Sequence, residues 1–255
     1  MRIITAIFTC LAATLAARAG SITVTNPSFE SATLPFGAGN GSYNQLIPGS
    51  TINPPVTGGA LIGWTATSNS VNSAAGAYAP NAGGVNWTTP WWSGNEVAYL
   101  QESGSDVTTS LSQVLGDTLQ DDTLYTLSSL VGCRTAGFFC ADSIQLYAGT
   151  MLVASASNLS LPENSFGSDS AVYSSGPSDP HAGEVLSIVL SSTAVPGTNS
   201  RTYTEAFFDS VTLTAESDVP PSPAPEPGTF ALLGLGVVVL PFARRVKTGA
   251  ARRPA

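Results

Sequence analysis

The sequence predicts an all-β fold, a two-sheet antiparallel β-sandwich of the jelly-roll kind, and three observations lead there. Residues 20–215 are rich in Ser, Thr, Gly and Asn and carry short runs in which apolar and polar residues alternate, the period of a half-buried strand. No apolar series with a helical period occurs in that span. The runs number about nine at irregular spacing, and a sheet with one apolar face must bury it against another layer.

Taken in order, the expected strands are residues 21–26, 96–101, 108–115, 124–132, 143–147, 151–155, 171–174, 185–190 and 207–214. Alternations such as Ile22/Val24, Ile144/Leu146 and Leu186/Ile188/Leu190 carry them. The tetrapeptide Tyr147-Ala148-Gly149-Thr150 reads as a tight turn between two of them. Residues 34–90 are rich in Gly, Asn and Pro and hold one further strand signal at 61–67. They are expected as long loops over one edge or face, a place where function often resides.

The two ends belong to targeting. Arg2, an apolar run over residues 3–17 and Ala17-Arg18-Ala19 form a signal peptide, residues 1–19, with cleavage after Ala19. The sandwich occupies 20–215, and a proline-rich linker, extended and solvated, follows at 216–224. Residues 225–255 contain Pro225-Glu226-Pro227, then 15 apolar residues at 229–243, then Arg244, Arg245, Lys247, Arg252 and Arg253. As a helix that run would be about 22 Å long, short for a permanent span of a roughly 30 Å hydrocarbon core. The basic cluster would stay on the cytoplasmic side. In order and spacing this tail resembles the PEP-CTERM sorting signal. The resemblance implies transient inner-membrane insertion by the apolar helix and cleavage by an exosortase near Pro225-Glu226-Pro227. The product would reach the surface or extracellular matrix of a Gram-negative bacterium. Signal peptidase is the partner at the other end.

All 17 carboxylates lie between Glu30 and Glu226, against two strong bases, Arg134 and Arg201, a formal charge of −15 for that stretch. Such a surface repels phosphate and speaks against nucleic acid as a partner. Cys133 and Cys140 are expected to form a local disulfide, because an exported chain meets an oxidising compartment.

The stretch 26–30, Asn-Pro-Ser-Phe-Glu, opens the domain, and Phe207-Phe208-Asp209-Ser210-Val211-Thr212-Leu213 closes it. Strict alternation would put Asp209 on one face with Phe207, Val211 and Leu213, where a carboxylate needs a partner. A structural calcium ion held by Glu30 and Asp209 is one answer; a salt-bridged or turn-capping pair is the other. These end motifs, with Gly63-Trp64, residues 111–115 and 125–127, and Val131-Gly132-Cys133-Arg134, resemble the galactose-binding-domain-like jelly rolls of many carbohydrate-binding modules. The resemblance implies structural calcium near the end strands.

Trp64, Trp87, Trp91 and Trp92 gather in one third of the domain with Tyr78 and Tyr99. Flat aromatics stack on the C–H faces of sugars, so Trp87, Trp91, Trp92, Tyr78 and Asn95 are the candidate saccharide contacts. Trp64 and Tyr99 read as core, and the other tryptophans read equally as loop anchors. His181, the lone histidine, has no nucleophile motif beside it, which disfavours hydrolase triads and multi-histidine metal centres. The expected function is therefore a non-catalytic carbohydrate-binding module that meets envelope polysaccharide or exopolysaccharide. The alternatives are a structural or adhesive matrix protein without glycan affinity and a secreted hydrolase working through two carboxylates.

Overall fold

The computed structural model describes residues 20–30, 42–43, 46, 61–80, 93–134, 138–157, 159, 161–194 and 203–218. The expected signal peptide, the apolar sorting helix, Pro225, Glu226 and Pro227, and the loop tryptophans Trp87, Trp91 and Trp92 lie outside them. Residues 18–218 form one compact unit.

The described residues are all-β, with thirteen strands in two sheets. In chain order they are β1 Gly20–Ile22, β2 Ser42–Tyr43, β3 Thr65–Ser68, β4 Ser73–Ala79, β5 Val97–Glu102, β6 Thr108–Thr118 and β7 Thr123–Cys133. Then come β8 Phe138–Cys140, β9 Ser143–Ala148, β10 Met151–Ser157, β11 Ser165–Ser174, β12 Val185–Thr193 and β13 Tyr203–Ser217. The first sheet runs β11-β7-β13-β5-β4-β2, with β1 and β8 also paired to β13; the second runs β10-β9-β12-β6-β3. Among the described strands β8 alone pairs parallel, the rest being antiparallel. Between the sheets lies the main core, where Phe29, Leu111, Tyr125, Leu146, Leu186 and Phe208 are fully buried. Burying each such side chain stabilises the fold by about 1.5–3 kcal/mol.

The structure adds β8, which the sequence reading lacks, and starts β11 at Ser165 where the sequence predicts residue 171; three further differences have a local reason. The strand expected at 21–26 stops at Ile22, because Asn26 and Phe29 adopt φ of 50° and 61° and the chain turns, Phe29 N–H donating to Asn26 O at 3.2 Å. The stretch 34–90 holds more than loops. It contributes β2 and β4, and the second of these, Ser-Ala-Ala-Gly-Ala-Tyr-Ala, has little β-propensity. Packing decides it: β4 lies between β2 and β5 with nearly every residue buried, where small side chains fit.

The third difference moves Asp209. In β13 the register with β7 steps from Asp209↔Leu130 to Thr212↔Ser128, three residues against two, so one residue is extra. This is a β-bulge, and Ser210 carries it at φ 50°. An inserted residue flips the alternation. Val211 and Leu213 join Phe208 in the core between the sheets, whereas Phe207 belongs to a separate cluster on the far face of the first sheet. Asp209 stays in step with Phe207 and does not share a face with Val211 and Leu213.

Candidate functional site

Part of the far face of the first sheet, across β4, β5 and the start of β13, is buried as well. Ala74 and Tyr78 from β4, Val97 and Tyr99 from β5, Phe207 from β13 and Phe166 from β11 form the second cluster there. Tyr78 meets Tyr99 edge-on with ring centroids 6.4 Å apart and Phe207 at 5.6 Å. Gly132 on β7 admits the Phe166 ring: a Cβ there would stand 2.5 Å from it.

Among these aromatics stands a carboxyl. Register pairs Phe207 with Tyr99 and Glu205 with Gln101, so both pairs share one face two residues apart. Glu205 is 3% exposed. Gln101 Nε2 donates to its Oε1 at 2.5 Å, and Arg134 Nη1 reaches Oε1 at 3.3 Å and Oε2 at 3.4 Å. Burial raises its pKa from 4.5 to about 7, with Arg134 and Gln101 pulling the other way. The result is a carboxyl near half-ionisation at neutral pH, set in an aromatic surface. That combination suits proton transfer.

Glu102, one residue along β5 from Gln101, points the other way, into the core between the sheets. Its Oε2 accepts from Ser192 Oγ at 2.7 Å, and the Thr109 hydroxyl is a second hydrogen-bonding neighbour of the carboxyl. Burial, which the Ser192 bond only partly offsets, raises this pKa to about 8, and the neighbouring Glu205 charge adds to the rise. Because Glu102 and Glu205 leave opposite faces of one sheet, this pair cannot flank a single glycosidic bond as a two-carboxylate hydrolase needs.

Glu30 and Asp209 meet at residues 93–96. Asp209, fully buried, accepts Ser93 N–H on Oδ2 at 2.5 Å and Ser210 N–H on Oδ1 at 2.6 Å. Its pKa is raised by burial, opposed by those two N–H groups and helped by the Glu30 charge. Glu30, exposed at the surface, takes Asn95 N–H at 2.8 Å and Glu96 N–H at 2.9 Å on Oε1. The two carboxylates thus pin one loop to the start of the domain and to β13. As calcium ligands they fit poorly. Backbone amides bond three of their oxygens, and any ion there would need carbonyl or water oxygens as well, since the described residues contain no group of three His, Cys, Asp or Glu side chains placed to hold one.

Of the expected saccharide contacts, Tyr78 is 7% exposed and packed against Tyr99 and Phe207, and Asn95 is exposed in the pinned loop. Trp64 and Tyr99 are core, as their composition context suggests. Cys133 and Cys140 form the disulfide, Cα atoms 5.5 Å apart. The reading of the sequence passed over Glu205. Its signal was available in Glu205-Ala206-Phe207-Phe208-Asp209, where a second carboxylate shares parity with Phe207 and Asp209.

Fold and site together define an exported β-sandwich that sets buried acids, Glu205 and Asp209, in an aromatic sheet face. The chain belongs to the HpiC1-like family, described as HpiC1 cyclase, which matches residues 20–214. Residues 223–247 are a PEP-CTERM protein-sorting motif, which marks the chain for exosortase processing and export to the surface of a Gram-negative bacterium. Among solved structures the chain is similar to the Stig cyclase Fisc from Fischerella sp. TAU, in complex with (3Z)-3-(1-methyl-2-pyrrolidinylidene)-3H-indole. The identity is 24% and the TM-score 0.62, over 79% of this chain and 100% of that one. A cyclase from the same organism in complex with 4-(1H-indol-3-yl)butan-2-one shares 23% identity at TM-score 0.57, over 79% and 100%. The carbohydrate-binding module TmCBM61, in complex with β-1,4-galactotriose, is more distant, at 10% identity and TM-score 0.41 over 75% and 97%. These likenesses are of fold. No curated protein matches the chain in sequence.

Proposed function

We propose that this exported sandwich is an acid catalyst of the cyclase kind, which protonates a small, largely apolar aromatic molecule from the Glu205 carboxyl. One observation carries the reading: a glutamic acid 3% exposed, with its pKa raised to about 7, on the face that holds Tyr99 and Phe207. A proton donor is most effective when its pKa lies near the working pH. Aromatic walls bind an apolar ring and favour the cation formed on protonation. Gln101 orients the carboxyl, and Gln101 with Arg134 stabilises the carboxylate left behind, which later takes a proton back from the product or water. The cyclase description of the family and the indole-bearing molecules in the Fischerella structures support the same substrate class.

The experiment uses 4-(1H-indol-3-yl)butan-2-one as probe. Binding is followed by calorimetry and deuterium uptake from heavy water by NMR. Wild type is expected to bind it and to accelerate exchange. Glu205→Gln should bind within a few-fold of wild type and lose the acceleration by 10²–10⁴-fold. Equal exchange in the two proteins refutes the acid role.

The second reading is the non-catalytic glycan-binding module. Export to the cell surface and the Trp87, Trp91 and Trp92 cluster in the sequence support it. Affinity for a galactan, β-glucan or xylan that disappears in Trp91→Ala and Trp92→Ala, without binding of the indole probe, would favour it.

A further inference from the structure

We propose that the Cys133–Cys140 disulfide and Arg134 act together as a positioning clamp that sets the charge state of the Glu205 carboxyl. This inference rests on the reading of Glu205 as proton donor. β7 ends at Cys133, and the next residue is Arg134. β8 spans three residues and pairs parallel to β13 with Cys140 opposite Glu205. So short a parallel pairing holds itself weakly. The covalent bond from Cys140 back to Cys133 fixes β8 to the end of β7, and Arg134 lies inside the closed loop. Its guanidinium reaches both oxygens of the carboxyl, at 3.3 and 3.4 Å.

Arg134 is the one strong base among the described residues. Among the described residues the groups that face Glu205 are few. β5 brings neutral Gln101 and, on the opposite face, Glu102; the end of β7 brings Arg134; β8 brings Cys140, which as a disulfide does not titrate. Asp209 shares this face of its own strand but stands four residues away, beyond Phe207. Burial disfavours the carboxylate, and Arg134 is the charge that opposes it. The placement of one guanidinium therefore decides whether Glu205 is an acid near neutrality or one that holds its proton well above it. The disulfide supplies that placement in the oxidising compartment where the domain resides.

The test is a titration of Glu205 in the intact chain, by ¹³C NMR of labelled glutamate carboxyls, with Glu205→Gln identifying the signal. In Arg134→Gln the midpoint should move up by about one pH unit or more. Cys133→Ala/Cys140→Ala should move it in the same direction, and Arg134→Lys should return it towards wild type. A midpoint unchanged in the cysteine-free variant overturns the clamp, and a midpoint unchanged or lowered in Arg134→Gln overturns it too. Should the cysteine-free chain fail to fold, the Arg134 variants, which keep the disulfide, still decide. Because the titration needs no substrate, the outcomes separate from the catalytic reading. Expected midpoints without catalysed exchange uphold the clamp and sink the acid reading; catalysed exchange with unmoved midpoints does the reverse.

Discussion

Replacing Glu102 by glutamine should make the protein more stable at neutral pH, against the usual expectation for a change in a core. In the folded state the carboxyl holds its proton to about pH 8, whereas its ordinary value is 4.5. The folded protein thus binds more protons than the unfolded chain between those two values. The sign follows from linkage: the stability tied to this group is complete below pH 4.5 and falls as pH rises, until Glu102 ionises near pH 8. The slope is about 1.4 kcal/mol per pH unit, so roughly 3 kcal/mol has gone by pH 7. An amide keeps the volume, accepts from Ser192 through its oxygen and brings an N–H₂ that can donate to Thr109 Oγ1. The assay is urea unfolding followed by circular dichroism at pH 5, 6, 7 and 8, with the disulfide intact. Glu102→Gln should gain on wild type by about 3 kcal/mol at pH 7 and match it near pH 4.5. The residual slope includes Glu205, whose value is raised to about 7, and Asp209, which burial also raises. A variant less stable than wild type at pH 8, or one with an unaltered slope, would refute the reasoning.

Two further outcomes follow from packing and from the pinned loop. Gly132→Ala puts a Cβ 2.5 Å from the Phe166 ring and should lower stability by about 1–3 kcal/mol through overpacking, with Gly132→Ala/Phe166→Leu recovering part of the loss in the same urea assay. Glu30→Ala removes the acceptor of two backbone N–H groups and should cost about 1–3 kcal/mol. That loss should be equal in calcium and in chelator. A calcium-dependent melting temperature in wild type that vanishes in Glu30→Ala would show instead that the carboxylates hold an ion.

What the residues declare on their own is local. Alternation places β6, β7, β9 and β12 because period 2 is a property of each strand by itself. Gly149, at φ 56°, turns β9 into β10 where the sequence puts the turn. The sorting tail and the cysteine pair are legible for the same reason: composition and spacing carry them without a partner strand. β4 is not legible, since Ala and Gly choose a strand only once β2 and β5 flank them and both faces are covered.

The site itself is a tertiary product. Parity along β13 holds only while residues pair one for one, and the extra residue at Ser210 exists only against β7; one bulge sends Val211 and Leu213 into the core and leaves Asp209 with Phe207 on the other side. Glu205 is an unremarked carboxylate in the chain. Burial, Gln101 from a strand about 100 residues earlier and Arg134 from the end of a third strand make it an acid titrating near neutrality. Sequence determined most of the strand segments and where the protein is sent. Proton affinity depends on solvent exclusion and on charges brought together across the sheet, so only the tertiary structure decided which carboxyl holds a proton at pH 7.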